Sequence, residues 1–254
     1  MEKRFTGQSA IVTGAGQGIG FEIARQLCRE GAAVLLNDIE ESLTENAVKR
    51  IQKEGGTCIG MAGDASAIEF INNMVSMAVS SFKHLSIVIA NAGITLFADF
   101  FAYTPESFNK VMQLNLGGSF FLAQAAAIQM KQQGNGGRIL FTSSVVGHQA
   151  HKDLAAYAIT KAGLEMLAKN LVIELSPYRI TVNAIAPGAT LTERTLHDPD
   201  YAATWSKLTP IGKPATVSDI ANAALFLVSP ASGHITGQSL IIDGGWSSVS
   251  PSPY

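Results

Sequence analysis

Short apolar runs rich in Val and Ile alternate with longer segments of helical periodicity along almost the whole chain. This alternation predicts βαβ units and a parallel sheet, because neighbouring parallel strands must be joined by a crossover of helix length. The runs predict strands over 9–12, 33–36, 57–61, 85–90, 138–142, 180–185 and 238–242, with helices over 18–30, 41–54, 66–82, 105–133, 154–176 and 217–229. Right-handed crossovers then give a Rossmann-like, doubly wound α/β fold in which helices flank seven parallel strands on both faces.

A chain of 254 residues without an internal repeat or a composition change that would mark a linker is expected to form one domain over 1–254. The one long segment that the periodicity leaves irregular, 188–216, is predicted to act as a lid over a substrate, with packing between subunits as the alternative. Residues 247–254 form a short tail that contains two prolines and four serines.

Charge and composition exclude several classes of protein. With a formal charge of −2, the chain lacks the excess of basic residues that is typical of nucleic-acid-binding proteins. No uninterrupted apolar run approaches the roughly 18 residues of a membrane span, and no secretory signal follows Met1. Cys28 and Cys58 make no disulfide framework or C-x-x-C motif. We therefore expect a cytoplasmic protein with no membrane and no nucleic-acid partner.

A glycine-rich segment, T-G-A-G-Q-G-I-G over 13–20, lies between the first strand and the first helix. Glycines allow positive φ and close approach of the backbone to a pyrophosphate, and the free N–H groups of the helix N-terminus attract an anion. Considered without its position between strand and helix, the glycine-rich segment is also compatible with a simple tight turn. Asp38 ends the second strand, where a carboxylate binds an adenosine ribose 2′-OH and repels a 2′-phosphate. Neither Gln17 nor Ile39 offers a compensating cation, so the prediction is NAD(H) over NADP(H).

Tyr157 and Lys161 stand four residues apart in a predicted helix, so their side chains share one face. Such a pair is common by chance, so its significance depends on the residues that precede it. The strand over 138–142 runs into Ser143 and Ser144, which places a hydroxyl at the carboxyl edge of the sheet, where open α/β folds bind ligands.

The glycine-rich loop, Asn91-Ala92-Gly93, Asn115, Ser144, the Tyr157/Lys161 pair and Pro187-Gly188 together resemble the short-chain dehydrogenase/reductase (SDR) family, in its shorter single-domain branch, from residue 8 to about 246. By this resemblance Asn115, Ser144, Tyr157 and Lys161 are the catalytic tetrad. The cofactor residues that the resemblance and the loop chemistry imply are Gly14, Gln17, Gly18, Ile19, Gly20, Asp38, Asp64, Ala65, Asn91, Gly93, Tyr157, Lys161, Thr190 and Thr192. In the family, Asp64 contacts adenine and Thr192 meets the nicotinamide carboxamide; a helix N-cap is the alternative for Asp64.

The chemistry of the tetrad follows from the reaction. A free tyrosine is a poor base at neutral pH, and a neighbouring cation corrects this by stabilising the phenolate. Lys161 would supply that cation to Tyr157, while Ser144 would donate a hydrogen bond to the substrate oxygen. The resemblance adds that Lys161 holds the nicotinamide ribose and that Asn115 keeps a water in a proton relay. Without the family resemblance, the alternative interpretation of Asn115 is an exposed or kink-forming residue of a long helix.

The substrate site is predicted to include Ser144, Val146, His151, Tyr157 and Trp205. His148 and His151 lack a third ligand at motif spacing, so no metal is predicted; they are expected to line the substrate mouth or to be solvated loop residues.

The favoured function is an NAD-dependent dehydrogenase of a secondary alcohol in a small polyol, sugar or hydroxy compound. The alternative within the family is a 3-oxoacyl (acyl-carrier-protein) reductase, which usually uses NADPH and docks its carrier through arginines, whereas the nearby cations here are Lys131, Arg138 and Arg179. A nucleotide-binding sensor or scaffold without turnover is the alternative of another class. By resemblance, the chain is expected to form a homotetramer through its long helices and its last helix and strand.

Overall fold

The structure is a computed structural model that describes residues 3–250. The predicted tail thus lies within the description as far as residue 250, and residues 251–254 lie outside it. Nine strands are described: β1 Ser9–Val12, β2 Ala33–Asp38, β3 Thr57–Ala62, β4 Ile87–Ala90, β5 Gly137–Thr142, β6 Ile180–Pro187, β7 Thr190–Leu191, β8 Ala215–Thr216 and β9 Ser239–Ile242. The helices are α1 Gly18–Arg29, α2 Glu41–Lys53, α3 Ile68–Phe82, α4 Pro105–Val111, α5 Ser119–Gln133, α6 Ala155–Leu175, α7 Tyr201–Leu208 and α8 Val217–Val228.

Seven strands form one parallel sheet in the order β3-β2-β1-β4-β5-β6-β9. The predicted doubly wound fold with seven parallel strands is confirmed. The strand order reverses between β1 and β4, and ligands of open α/β sheets bind in the crevice that opens at such a point, beyond the carboxyl ends of the strands.

Each face of the sheet packs on helices, which is why the strands are apolar on both sides. Val12, Leu36 and Leu140 belong to a core cluster with α1 and α8, while alternate residues such as Ile11 and Phe141 belong to a cluster with α3, α5 and α6. Alternation of side chains along a strand therefore divides the core into two layers.

The predicted helix over 105–133 contains an unpredicted π-helical segment, Met112–Gly118, between α4 and α5. Thr104 caps its start, since its hydroxyl accepts a hydrogen bond from Ser107 N at 3.2 Å. By length and composition this helical run, in which an 18-residue window has a mean hydropathy of 1.3, is apolar enough to cross a membrane. Its inner side, including Leu122 and Met130, nevertheless forms part of the core against the sheet.

One alternative interpretation and one local prediction are wrong. Helix α3 begins at Ile68 with Ala67 as its N-cap, so Asp64 does not cap it; Asp64 Oδ1 instead accepts from Ser66 N at 2.8 Å in the preceding turn. The segment 188–216 is not wholly irregular, because it contains the β7–β8 pair and α7. The short α7 offered too few turns for its periodicity to stand out.

Candidate active site

A cavity of about 700 Å³ opens at the carboxyl edge of the sheet, over the reversal between β1 and β4. Its lining joins the glycine-rich loop, the ends of β2 and β3, the segment after β4, and the catalytic candidates Ser144, Tyr157 and Lys161. Of the predicted cofactor residues, the ones that line this cavity are Gly14, Gln17, Gly18, Ile19, Gly20, Asp38, Asp64, Ala65, Asn91, Gly93, Tyr157, Lys161, Thr190 and Thr192. Residues far apart in the sequence thus meet in a single cleft.

The glycine-rich loop needs its glycines at two positions. Gly14 has φ +60°, and a Cβ there would lie 2.8 Å from Ala92 Cα. A Cβ on Gly20 would overlap the carbonyl oxygen of Gly14, because the first turn of α1 packs directly on the loop. A side chain at Gly14 would push the loop away from the segment after β4, and one at Gly20 would push α1 away from the loop.

Asp38 is bound to this loop through its carboxylate. Its Oδ2 accepts from Gly16 N at 3.0 Å, and its Oδ1 accepts from Glu40 N at 3.3 Å. The neighbouring Asn37, which the sequence reasoning did not single out, is buried and donates to the carbonyl oxygens of Met61 and Gly63 at 3.0 Å. Asn37 therefore holds the ends of β2 and β3 together beneath the cavity.

The loop after β4 is tied to the glycine-rich loop by side chains of both. Asn91 Nδ2 donates to the carbonyl oxygens of Thr13 and Gly14, each at 3.0 Å. Thr13 Oγ1 accepts from the backbone N–H groups of Asn91 and Ala92 at 3.1 Å. Asn91 thus supports the wall of the cavity, and Thr13 is a further supporting residue that sequence reasoning missed.

Asn115 lies in the π-helical segment and is fully buried. Its Oδ1 accepts from Ile94 N at 2.9 Å, and its Nδ2 donates to Ile94 O at 2.9 Å and to Thr160 Oγ1 at 3.3 Å. Thr160 Oγ1 in turn donates to the carbonyl oxygen of Tyr157 at 2.7 Å. One amide therefore connects the segment after β4, the helical run and α6. Of the two alternatives, an exposed or a kink-forming residue, burial excludes the first, and Asn115 does lie at an irregularity of the helix.

Lys161 is buried at the floor of the cavity beside Tyr157. Its Nζ donates to the carbonyl oxygen of Thr142 at 2.6 Å and lies 5.3 Å from the centre of the Tyr157 ring. Among residues 3–250, no carboxylate oxygen lies within 4.0 Å of this Nζ. The positive charge of Lys161 is therefore available to a phenolate or to a ligand in the cavity.

The segment after β6 closes one side of the cavity. Thr190 N donates to the Tyr201 hydroxyl at 3.2 Å, and burial raises the pKa of Tyr201. Thr192 lines the cavity, and the next residue, Glu193, accepts from Gly18 N at 2.9 Å through its Oε2. Sequence reasoning missed Glu193 because nothing in the local sequence shows that this loop reaches the start of α1.

The predicted substrate residues separate into two groups. Ser144 and Tyr157 line the cavity, whereas Val146, His151 and Trp205 lie outside its lining. Val146 lies in a 3₁₀ turn over Val145–Gly147, and Trp205 packs edge-on against Trp246 with ring centres 4.9 Å apart.

The two histidines of the segment 148–151 make different contacts. His151 Nδ1 lies 2.9 Å from the carbonyl oxygen of Lys152, and its ring meets Phe97 edge-on. His148 Nε2 lies 2.8 Å from Glu165 Oε1. Within the described part of the chain, no group of three or more His, Cys, Asp or Glu residues is placed to hold a metal ion.

The residues present fit a nicotinamide dinucleotide. The cavity has the volume of a cofactor site, and its glycine-rich loop leaves room for close approach of a phosphate. Thr142 lines the cavity, and its buried Oγ1 has no hydrogen-bond partner among the described residues. A buried hydroxyl without a partner is costly, and a polar ligand in the cavity can satisfy it.

A doubly wound sheet with a glycine-rich loop at its strand-order reversal and a Tyr/Lys pair beside a serine defines a class, the nicotinamide-dependent oxidoreductases that act on alcohols and carbonyls. Comparison with known proteins gives the family within that class. The family model described as "Enoyl-(Acyl carrier protein) reductase" matches residues 14–247. The chain is 35% identical to L-rhamnose-1-dehydrogenase of Scheffersomyces stipitis, over 94% of this chain and 95% of that protein. It is 34% identical to 7alpha-hydroxysteroid dehydrogenase of Escherichia coli, over 95% of each.

Solved structures agree. A 7alpha-hydroxysteroid dehydrogenase complexed with NADH and 7-oxo glycochenodeoxycholic acid superposes with a TM-score of 0.91 at 34% identity, covering 96% of both chains. A short-chain type dehydrogenase/reductase from Mycobacterium marinum gives 0.92 at 30% identity, covering 97% of this chain and 98% of that one. The chain belongs to the short-chain dehydrogenase/reductase family, and it is an oxidoreductase that acts on CH–OH groups with NAD(P).

Proposed function

We propose that the protein is an NAD(H)-dependent dehydrogenase that interconverts a secondary alcohol and its ketone in a small polyol, sugar or hydroxy compound. The observation that carries the proposal is the buried Lys161, whose Nζ lies beside the Tyr157 ring in the cavity that also contains the glycine-rich loop and Asp38. The named dehydrogenases of rhamnose and of a hydroxysteroid support a hydroxy compound as the substrate class.

The residues of this chain divide the proton chemistry among them. Tyr157 takes the hydroxyl proton of the substrate in the oxidative direction and returns it in the reductive direction. Lys161 stabilises the phenolate, and Ser144 donates a hydrogen bond to the substrate oxygen as charge develops on it. Asn115 binds Thr160 of α6, whose hydroxyl donates to the carbonyl oxygen of Tyr157, and so links its own segment to the helix that carries Tyr157 and Lys161. The nicotinamide, when bound, accepts or supplies the hydride.

The proposed preference for NAD rests on Asp38. Its carboxylate is held at the mouth of the cavity by Gly16 N, and the next side chains along the chain are the exposed Ile39 and two further acids, Glu40 and Glu41. A ribose 2′-OH can donate to this carboxylate, whereas a 2′-phosphate would meet negative charge without a compensating cation from this turn. One relative is described as an L-rhamnose 1-dehydrogenase (NAD(P)(+)), so the preference needs its own measurement.

Reduction of a 3-oxoacyl group on a carrier protein is the second candidate, favoured by the acyl-carrier-protein wording of the matching family model. Arg138 is the second residue of β5, at the amino edge of the sheet, and it donates to the carbonyl oxygens of Gly137 and Ser229. It is thus at the edge opposite the cavity. Lys110 and Arg194 are the cations that line the cavity beside Lys161.

A homotetramer is the proposed assembly. The long helices leave large apolar side chains exposed, and so do the last helix and strand; these residues are Phe120, Phe121, Ile128, Ile159, Met166, Ile173, Phe226, Leu240 and Ile241. Burial of such faces between subunits is favourable. Light scattering at micromolar concentration tests this proposal, and a monomeric mass would contradict it.

We further propose that 188–216 acts as the substrate lid and that the protein is cytoplasmic. Thr192 and Tyr201 of this segment line the cavity, which supports a covering role. Cys28 and Cys58 are free and buried, which supports a reducing compartment. The neighbouring Cys28 thiol and burial raise the pKa of Cys58.

The test of the function follows reduced-nicotinamide absorbance with NAD or NADP against polyols, aldoses, hydroxy acids and hydroxysteroids, and in reverse against a 3-oxoacyl thioester. Tyr157→Phe is expected to abolish turnover and retain NADH binding, whereas the matched Tyr178→Phe, at an exposed tyrosine after α6, keeps wild-type turnover. Equal turnover in wild type and Tyr157→Phe would refute the mechanism. Preferential NADPH-driven reduction of the thioester would make the second candidate the function.

A further inference from the structure

Helix α6 carries a buried carboxylate that the proposed chemistry does not use. Glu165 lies one turn after Lys161, on the inner face of the helix, and its side chain is only 10% exposed. A buried carboxylate is costly unless donors satisfy it. The donors that Glu165 finds all come from the segment that carries Ser144.

One oxygen of Glu165 binds both ends of that segment. Ser143 Oγ lies 2.6 Å from Glu165 Oε1, and His148 Nε2 lies 2.8 Å from the same oxygen. The Ser143 hydroxyl has one proton and a second acceptor within reach, the carbonyl oxygen of Lys161 at 2.9 Å. The shorter contact to the charged oxygen indicates that Glu165 receives this proton.

The segment between these two contacts is short and closely packed on α6. It consists of Ser144 and the 3₁₀ turn Val145–Gly147, and a Cβ on Gly147 would lie 3.0 Å from Glu165 Oε1 and 3.1 Å from the carbonyl carbon of Lys161. Ser144 thus lies between two residues that one carboxylate oxygen holds. That carboxylate belongs to the same helix as Tyr157 and Lys161.

We propose that Glu165 is a positioning residue that keeps the Ser144 hydroxyl in register with Tyr157 and Lys161, with His148 and Ser143 as its partners. The proposal rests on the proposed function for the role of Ser144. Glu165 does not line the cavity, so its effect passes through the segment 143–148. A small displacement of a hydrogen-bond donor that must meet a reacting oxygen lowers the rate of the chemical step much more than the binding of cofactor.

The experiment compares Glu165→Leu and Glu165→Gln in the full-length protein. Leu fills similar space and cannot accept a hydrogen bond, so kcat is expected to fall about tenfold or more while the Kd for NADH changes less than twofold. Gln keeps an acceptor oxygen and is expected to retain most of kcat. Glu174→Leu, the same change at an exposed position of α6, serves as the matched control and is expected to leave kcat unchanged.

Hydrogen exchange separates this proposal from the proposed function, because it needs no turnover. The turn is held by backbone bonds from Gly147 N to Ser144 O and from His148 N to Val145 O, both 2.9 Å. Glu165→Leu is expected to speed amide exchange in 143–149 and to leave 13–20 unchanged. If the wild type lacks turnover but this local exchange effect is present, the proposed function fails while Glu165 still anchors the segment.

Other outcomes overturn the proposal. Wild-type kcat in Glu165→Leu would do so, as would a parallel loss of kcat and NADH affinity with faster exchange throughout the chain, because that would mark a general structural role. If Glu165→Leu does not fold, Ser143→Ala decides the matter, since it removes one donor and leaves the carboxylate with His148. A lower kcat with unchanged Kd supports the proposal, and an unchanged kcat refutes it.

Discussion

Replacement of Asn115 by Leu should destabilise the protein as well as inactivate it. Leu has the same branching and number of heavy atoms as Asn but offers no polar atom, so the N–H and C=O of Ile94 lose their side-chain partner, as does Thr160 Oγ1. A buried polar group left unsatisfied costs about 1–3 kcal/mol. Ile94 is half-buried, which lets water recover part of that cost for its two groups. The expected loss is therefore about 2–4 kcal/mol, with the lower end favoured if water reaches both groups.

This loss corresponds to a Tm about 5–15 °C below the wild type for a chain of this size. Differential scanning calorimetry at fixed protein concentration measures it, because subunit association would make Tm depend on concentration. Asn109→Leu, an exposed position in α4 of the same helical run, is the control and should shift Tm by less than about 2 °C. A wild-type Tm in Asn115→Leu would refute the bridging role. If such a variant also lacked turnover, the Asn115 amide would have a chemical role only.

Three further predictions concern the cofactor site and a helix cap. Asp38→Asn keeps an acceptor for Gly16 N but removes the charge, so the ratio of kcat/KM for NAD over NADP should fall about tenfold, and an unchanged ratio would exclude charge as the cause. Glu193→Gln removes a carboxylate from the Gly18 N–H at the start of α1, so fluorescence titration should give an NADH Kd about threefold lower; a higher Kd would show that the carboxylate helps binding. The Thr216 N–H bond lowers the pKa of Asp219, so this carboxylate stabilises the fold above its unfolded pKa of about 3.9 and loses that effect as pH falls through the lower folded pKa. Asp219→Asn should therefore reduce Tm by about 1–3 °C at pH 7 and by less near pH 3, and an equal reduction at both would contradict this origin.

Much of the fold could be predicted because its signals are local. The Val- and Ile-rich runs and the helical segments each record their own periodicity, and parallel pairing follows from the length of the connections. The glycine-rich loop, Asp38, Ser144 and the Tyr157/Lys161 pair all follow or adjoin predicted elements. A parallel sheet brings the carboxyl ends of its strands to one edge, so the sequence also indicated that these residues belong to one cleft.

The π-helical segment at Asn115 was not predictable in the same way. Its sequence differs from the helices on either side in Gly117 and Gly118, which weaken a helix but do not specify a π-helical turn, and Asn115 within it bonds to Ile94 and Thr160. Those partners are 21 and 45 residues away. Side-chain placement at Val146, His151 and Trp205 likewise depended on how their loops pack, and a position between Ser144 and Tyr157 did not bring His151 to the cavity.

The sequence by itself determined the α/β class, the seven parallel strands and the family, because periodicity, turn glycines and motif order are properties of neighbouring residues. Only the tertiary structure decided that Glu193 meets the start of α1 and that Glu165 holds both ends of the Ser144 segment. Each of these contacts joins elements whose relative position results from packing of both core layers around the sheet. The local sequence does not encode such a contact, because a glutamate in a helix or loop has the same sequence neighbours whether its side chain packs on another element or faces solvent.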